Sequence, residues 1–166
     1  MVIFFLVHAK SESVKQLVSK AVQSLGYYKC GNLNWSKDYP DVIHVIGLHK
    51  SRWGSKYYLE TGLWLRTFGP GESPKFYECH VQLLLNSESG FGTDDIDSAL
   101  NEEDYWKMDN EERLRIISET LKRAEAEFFG RAKTLIDLRD LILNRPKFML
   151  AINKCVMEFF NIPLPA

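Results

Sequence analysis

The chain has 166 residues, of which 45% are hydrophobic and 26% are charged, and its formal net charge is -1. This length fits a single domain over residues 1–166 with a sizeable core, and the composition is that of an ordinary globular protein rather than a disordered one. The near-neutral charge gives the chain no general attraction for nucleic acid or for an anionic membrane surface.

The first ten residues, "MVIFFLVHAK", form a short apolar run. The run is too short to span a bilayer, and it lacks the charged start and the cleavage site of a secretory signal. We interpret it as a buried first strand or the start of a helix, and we expect no association with a membrane.

The next segment, residues 11–26, has the pattern of an amphipathic helix. Ser13 and Gln16 have the form of a capping box, and Gly26 is suited to the left-handed conformation that ends many helices. The apolar residues recur at helical spacing, at Val14, Leu17, Val18, Ala21 and Leu25.

Four strand-like runs follow, over residues 27–35, 42–49, 56–68 and 75–85, and all are rich in β-branched and aromatic residues. The turn sequences "SKDYPD", "KSRWGS" and "GPGESP" separate them. Because consecutive strands joined by short links tend to pair with each other, the pattern predicts an antiparallel meander.

An acidic block occupies residues 94–112, which hold one lysine and nine Asp or Glu residues, whereas residues 1–93 carry a net charge of +3 and residues 113–166 one of +4. We interpret the block as a solvated loop and helix start. Two further interpretations remain open: the block docks a basic partner, or it docks the chain's own basic loop.

The remainder of the chain is predicted to be helical. Asp109 is suited to be the N-cap of a helix, Gly130 breaks or bends that helix, and Pro146 opens a last one. The expected buried positions are Leu114, Ile117, Leu121, Ala124 and Phe128, then Leu135, Leu138 and Ile142, then Met149, Ile152, Val156 and Phe159. The order of elements predicts an α+β domain with an N-terminal helix, an antiparallel sheet of about four strands, and C-terminal helices (residues 113–160) packed on one sheet face.

The three cysteines, Cys30, Cys79 and Cys155, lie far apart in the sequence. They form no CxxC pair and no Cys/His ligand spacing, so we expect neither a zinc site nor a disulfide framework. This use of cysteine predicts a reducing, cytoplasmic setting.

The stretch "GLHKSRWGSKYYLETGLWL", residues 47–65, places three cations and a tryptophan in one hairpin loop. Arg52 can contact a carboxylate or phosphate with two hydrogen bonds, and Trp53 offers a stacking surface. Such a loop can dock on the chain's own acidic block, on another protein, or on nucleic acid. The candidate binding residues are His49, Lys50, Ser51, Arg52, Trp53, Lys56 and Tyr58.

Residues 14–85 resemble a bacterial family catalogued as domain of unknown function 4304. The most specific part of the resemblance is the loop "KSRWG", which is followed by an aromatic pair and a glycine on the next strand and by His80 on a later one. The sequence departs from the family pattern at His49, where a glutamine is expected, and at Glu60, where an asparagine is expected. The family has no assigned reaction, so the resemblance implies a fold and a surface patch.

A catalytic interpretation rests on His44, Glu60 and His80. If Lys50 pairs with Lys56 across the hairpin, His44, Glu60 and Tyr58 share one sheet face, where a histidine base and a carboxylate that orients it are able to meet. The sequence shows no metal triad, no nucleophile elbow and no phosphate-binding glycine loop, so we expect no metal and no cofactor.

These patterns favour a cytoplasmic, non-catalytic module that binds another protein, such as an immunity or antitoxin protein, because the separated basic loop and acidic block suit a protein interface. The first alternative is an enzyme or small-ligand-binding protein with its site on the sheet face. The second is a weak binder of single-stranded nucleic acid that uses Arg52 and Trp53, which the net charge disfavours. The sequence leaves the oligomeric state open.

Overall fold

A computed structural model describes residues 12–90, 92–145 and 151–163. Within these ranges, one helix is followed by five strands and then by four helices. The helices are α1 (Val14–Ser24), α2 (Ile96–Ala99), α3 (Asn110–Glu127), α4 (Leu135–Asn144) and α5 (Lys154–Phe159), and the strands are β1 (Tyr28–Gly31), β2 (Asn34–Asp38), β3 (Val42–Lys50), β4 (Tyr57–Leu65) and β5 (Val81–Leu84). The predicted α+β class is confirmed.

The strands form one antiparallel sheet in chain order, β1-β2-β3-β4-β5, as a meander. The sheet has five strands rather than about four, because the run at residues 27–35 folds back on itself. Gly31 pairs with Asn34 across a tight turn in which Leu33 adopts a positive φ of 55°. The run at residues 75–85 is mostly irregular, since a 3-10 turn at Phe76–Glu78 precedes the short β5.

The helices cover one face of the sheet, as predicted. Alternate residues of β3, among them Val42, Ile46 and Leu48, join α1, α3 and α4 in a single core cluster. The other face carries a smaller cluster, in which Ile43 and Val45 pack with Cys79 and are flanked by Trp64 and Phe76. The helices therefore cover one face of β3. The other face is covered only near Ile43 and Val45 and is open at the end of β3 that leads into the loop to β4. We call this second face the open face of the sheet.

Local signals in the sequence placed the helix ends well. Ser13 and Gln16 form the expected capping box, Gly26 has a φ of 83°, and the Asp109 side chain accepts a hydrogen bond from the backbone N–H of Glu112. The helix α3 ends just before Gly130, where an added Cβ atom would lie 2.4 Å from the carbonyl oxygen of Glu125. This close approach explains why the position just after the helix is occupied by glycine.

The last helix differs from the prediction. It begins at Lys154, and Ile152, which was expected inside it, forms an isolated antiparallel bridge with Val81 at the edge of β5. Val156 is buried, whereas Phe159 is exposed and packs edge-on against Phe68, so its predicted burial is wrong. The predictions for residues 1–8, Pro146 and Met149 lie outside the described residues.

Within the described ranges, none of the helices has both the length and the apolar character that crossing a membrane requires.

Candidate functional site

The register of the β3–β4 hairpin decides which side chains meet. Lys50 pairs with Tyr57, so the expected pairing of Lys50 with Lys56 is wrong by one residue. Lys56 instead forms a bridge with Asn101, and its carbonyl oxygen accepts a hydrogen bond of 2.8 Å from the backbone N–H of Ser51. Because side chains alternate along a strand, this shift places His44 and Glu60 on opposite faces of the sheet.

His44 lies on the helix-covered face and is fully buried. Its Nε2 atom lies 2.8 Å from the carbonyl oxygen of Ala132, and its ring packs against Tyr39 and Phe129. Burial lowers the pKa of His44 to about 4, so the ring is neutral and Nε2 carries the proton donated to Ala132. This histidine has a structural role.

His80 lies far along the sheet from Glu60, beside Trp64 and Phe68. Its Nδ1 atom accepts a hydrogen bond of 3.0 Å from the backbone N–H of Leu65, and burial lowers its pKa. The structure therefore does not bring together His44, Glu60 and His80.

The basic loop docks partly on the chain's own acidic block. Lys50 lies 3.4 Å from Glu102, Lys56 lies 2.8 Å from Asp97, and the Ser55 hydroxyl donates to Glu103 at 3.0 Å. Burial tends to raise the pKa of Asp97, but hydrogen bonds from Lys56 and Ser87 outweigh it and hold that pKa below its ordinary value. The internal docking that the sequence left open thus occurs through the two lysines.

Arg52 and Trp53 are not part of this docking. The Arg52 guanidinium makes no hydrogen bond or ion pair with any residue of the described ranges, and the Trp53 side chain is 95% exposed. Ser51 supports the turn, because its hydroxyl accepts a hydrogen bond from the Trp53 backbone N–H. The acidic block that contacts the loop also carries two more exposed aromatic side chains, Tyr105 and Trp106. We call the surface formed by residues 51–56 and 101–106 the loop end.

On the open face of the sheet, the structure brings together His49, Tyr58 and Glu60. The His49 Nδ1 atom lies 3.0 Å from a Glu60 carboxylate oxygen, and the His49 and Tyr58 rings lie 5.1 Å apart. The Glu60 side chain is only 13% exposed, against 55% for His49. Burial raises the pKa of Glu60, and the hydrogen bond with His49 opposes that rise.

His49 and Glu60 lie at one side of a cavity of about 580 Å³ between the sheet and the segment that precedes β5. Its other walls come from Cys30, Asn34, Phe76 and Tyr77, which were not among the predicted site residues. The signal in the sequence was Gly47, since a lone glycine inside a strand often marks a close approach to the backbone. An added Cβ atom at Gly47 would lie 3.1 Å from the Cβ atom of Phe76.

Across the described residues, His, Cys, Asp and Glu side chains do not gather in a group of three or more that could hold a metal ion.

The geometry defines an α+β domain with two accessible groups of functional side chains, one at the loop end and one on the open face of the sheet. The chain belongs to the family described as Domain of unknown function (DUF4304), whose model matches residues 18–131. The resemblance inferred from residues 14–85 is confirmed, and the match extends through α3. No curated protein and no solved structure matches the chain.

Proposed function

We propose that this protein is a non-catalytic binding module of the bacterial cytoplasm, similar in kind to an immunity or antitoxin protein, and that it docks another protein through the loop end. The observation that carries the proposal is the pair Arg52 and Trp53 at the tip of the loop, whose side chains make no hydrogen bond, ion pair or ring contact with the described remainder of the chain. Tryptophan, tyrosine and arginine are the residues that contribute most often to the affinity of protein interfaces.

The loop end is held in place before any partner arrives. The ion pairs of Lys50 and Lys56 with the acidic block, and the backbone hydrogen bond from Glu102 to Ser55, fix the base of the loop. A loop that is already ordered loses less conformational entropy on binding, so more of the contact energy appears as affinity. A solvated loop without function has no need of this support.

The chemistry of the loop end specifies its partner. Arg52 can bind a carboxylate with two hydrogen bonds, and the indole ring of Trp53 can bury itself in a hydrophobic pocket. The acidic residues beside the loop repel a phosphate backbone, which argues against the nucleic-acid alternative. We therefore expect a protein surface with an acidic side chain next to an apolar pocket.

The cytoplasmic setting is part of the proposal and is supported by the cysteines. Cys30, Cys79 and Cys155 are all free thiols, and Cys155 is exposed. Exposed free thiols persist in reducing compartments and are oxidised in most extracellular ones.

The test is a pull-down from the native host, followed by calorimetric titration of the captured protein in purified form. We expect the double variant Arg52→Ala with Trp53→Ala to bind about 1,000-fold more weakly, because interface residues of this type often contribute about 2 kcal/mol each. The matched control is Lys75→Ala with Tyr77→Ala, which also removes one exposed cation and one exposed aromatic ring and should bind as the wild type does.

Equal binding by the loop variant and the wild type would refute docking through the loop end. Circular dichroism must show the same fold for every variant before the affinities are compared.

A further inference from the structure

A row of three residues crosses the open face of the sheet at the cavity. Asn34 on β2 pairs with Gly47 on β3, and Gly47 pairs with Glu60 on β4. Directly paired residues point to the same face, so the side chains of Asn34 and Glu60 stand on either side of a position that has none. Adjacent strands lie about 4.8 Å apart, so the space between the two side chains spans about two strand spacings.

The polar atoms that face this space are mostly hydrogen-bond acceptors. The amide nitrogen of Asn34 donates to the carbonyl oxygen of Pro74 and to the sulfur of Cys30, both at 3.1 Å, which turns the amide oxygen away from them. That oxygen receives no hydrogen bond from the described residues. One carboxylate oxygen of Glu60 bonds to His49, and the other has no donor among the residues described.

Three rings take part in the walls of the cavity, those of Phe76, Tyr77 and His49. Phe76 sits directly over Gly47, where the missing side chain lets its ring approach the sheet. Tyr77 and His49 complete the walls on two sides. A planar ring can stack against such walls, and a positive charge on that ring interacts favourably with their aromatic faces.

We propose that this cavity binds a small planar molecule that carries N–H donors and a positive charge, such as an amidine, a guanidine or a protonated amino-heterocycle. Its N–H groups reach the free oxygens of Glu60 and Asn34, and its ring lies against Phe76. The volume of about 580 Å³ suits a ligand of this size. The proposal does not depend on the loop end, and either can fail without the other.

Lys75 is the lysine that lines the cavity. Its ammonium group lies 5.7 Å from the centre of the Tyr77 ring, and the residue is exposed to solvent. A charge in water is screened much more strongly than one in a partly buried site, so the carboxylate of Glu60 dominates the electrostatic potential inside. An anionic ligand is therefore disfavoured.

The test compares three probes of the same shape: benzamidine, benzamide and benzoate, which are cationic, neutral and anionic. In calorimetric titrations of the wild-type protein we expect benzamidine to bind at least about tenfold more tightly than the other two. Amide chemical-shift mapping should place benzamidine at Gly31, Gly47 and Phe76, while the signals of residues 51–56 stay unchanged. Tighter binding of benzoate, a lack of benzamidine binding, or mapping to another surface would each overturn the proposal.

A pair of matched variants identifies the responsible charge. Glu60→Gln should weaken benzamidine binding by at least about tenfold, because it replaces a charged acceptor by a neutral one. Glu111→Gln changes the net charge equally, but at an exposed position of α3, and should leave the affinity unchanged. Equal weakening by both variants would show nonspecific electrostatics and would overturn the proposal. The wild-type probe series remains decisive should Glu60→Gln fail to fold.

Discussion

His44 and His49 lie on the same strand but on opposite faces of the sheet, and their surroundings differ completely. The helix-covered face encloses His44, holds its ring neutral and uses its one N–H group to satisfy a backbone carbonyl. The open face leaves His49 half exposed beside a carboxylate that receives no hydrogen bond from any other described residue. The same residue type is part of the core in one place and part of an accessible site in the other.

The two faces of the sheet differ in how completely other side chains cover them. On the helix-covered face, the side chains of α1, α3 and α4 fill the space above the sheet and leave structural roles only. On the open face, a short irregular segment covers Ile43 and Val45 but stops at Gly47, and the cavity begins there. We therefore propose that one face provides stability and the other a binding site, and mutations on each face test this division.

The largest effect is expected from Phe129→Ala. Phe129 is fully buried and lies edge-on to His44, Tyr27 and Phe128. Truncating a buried phenylalanine leaves a cavity, so we expect the free energy of unfolding to fall by about 3–5 kcal/mol. Urea denaturation measures this loss, and Tyr77→Ala, on the exposed wall of the cavity, should change stability by only about 0.5 kcal/mol or less. Similar losses for both variants would contradict the division between the faces.

The second effect is the response of the helix-covered face to acid. Burial lowers the pKa of His44 from 6.5 to about 4, so the unfolded chain binds a proton at a higher pH than the folded one. The free energy of unfolding is therefore unaffected by His44 above pH 6.5 and falls as the pH drops from 6.5 toward 4. The total loss from this residue is roughly 3 kcal/mol at most.

Urea denaturation across that pH range measures the acid response. His44→Gln keeps an N–H donor but does not titrate, so its stability should fall less steeply with acid than that of the wild type. Equal slopes for the two proteins would mean that His44 is not protonated on unfolding.

The parts of the fold that could be predicted are those that short stretches of sequence determine. The capping box at Ser13, the N-cap at Asp109 and the break at Gly130 each depend on residues a few positions apart. The hairpin register could not be predicted, because it depends on the bridge between Lys56 and Asn101, which are distant in sequence. That single-residue shift decided the candidate site, since it separated Glu60 from His44 and joined it to His49.

The smallest effect, and the sharpest test of the open face, is the stability of Glu60→Gln. Burial raises the pKa of Glu60 above its ordinary 4.5, so the fold prefers the protonated acid, and stability falls as the pH rises through that range. Glutamine keeps the size of the side chain and an acceptor for His49. We therefore expect urea denaturation at pH 7 to show a gain in unfolding free energy of less than about 1 kcal/mol.

A gain of this kind, together with the loss of benzamidine binding, would mean that the carboxylate destabilises the fold where it stands and serves a ligand instead. A lower free energy of unfolding for Glu60→Gln would have the opposite meaning. Glu60 would then be a structural partner of His49, and the open face would differ from the helix-covered face in exposure but not in role.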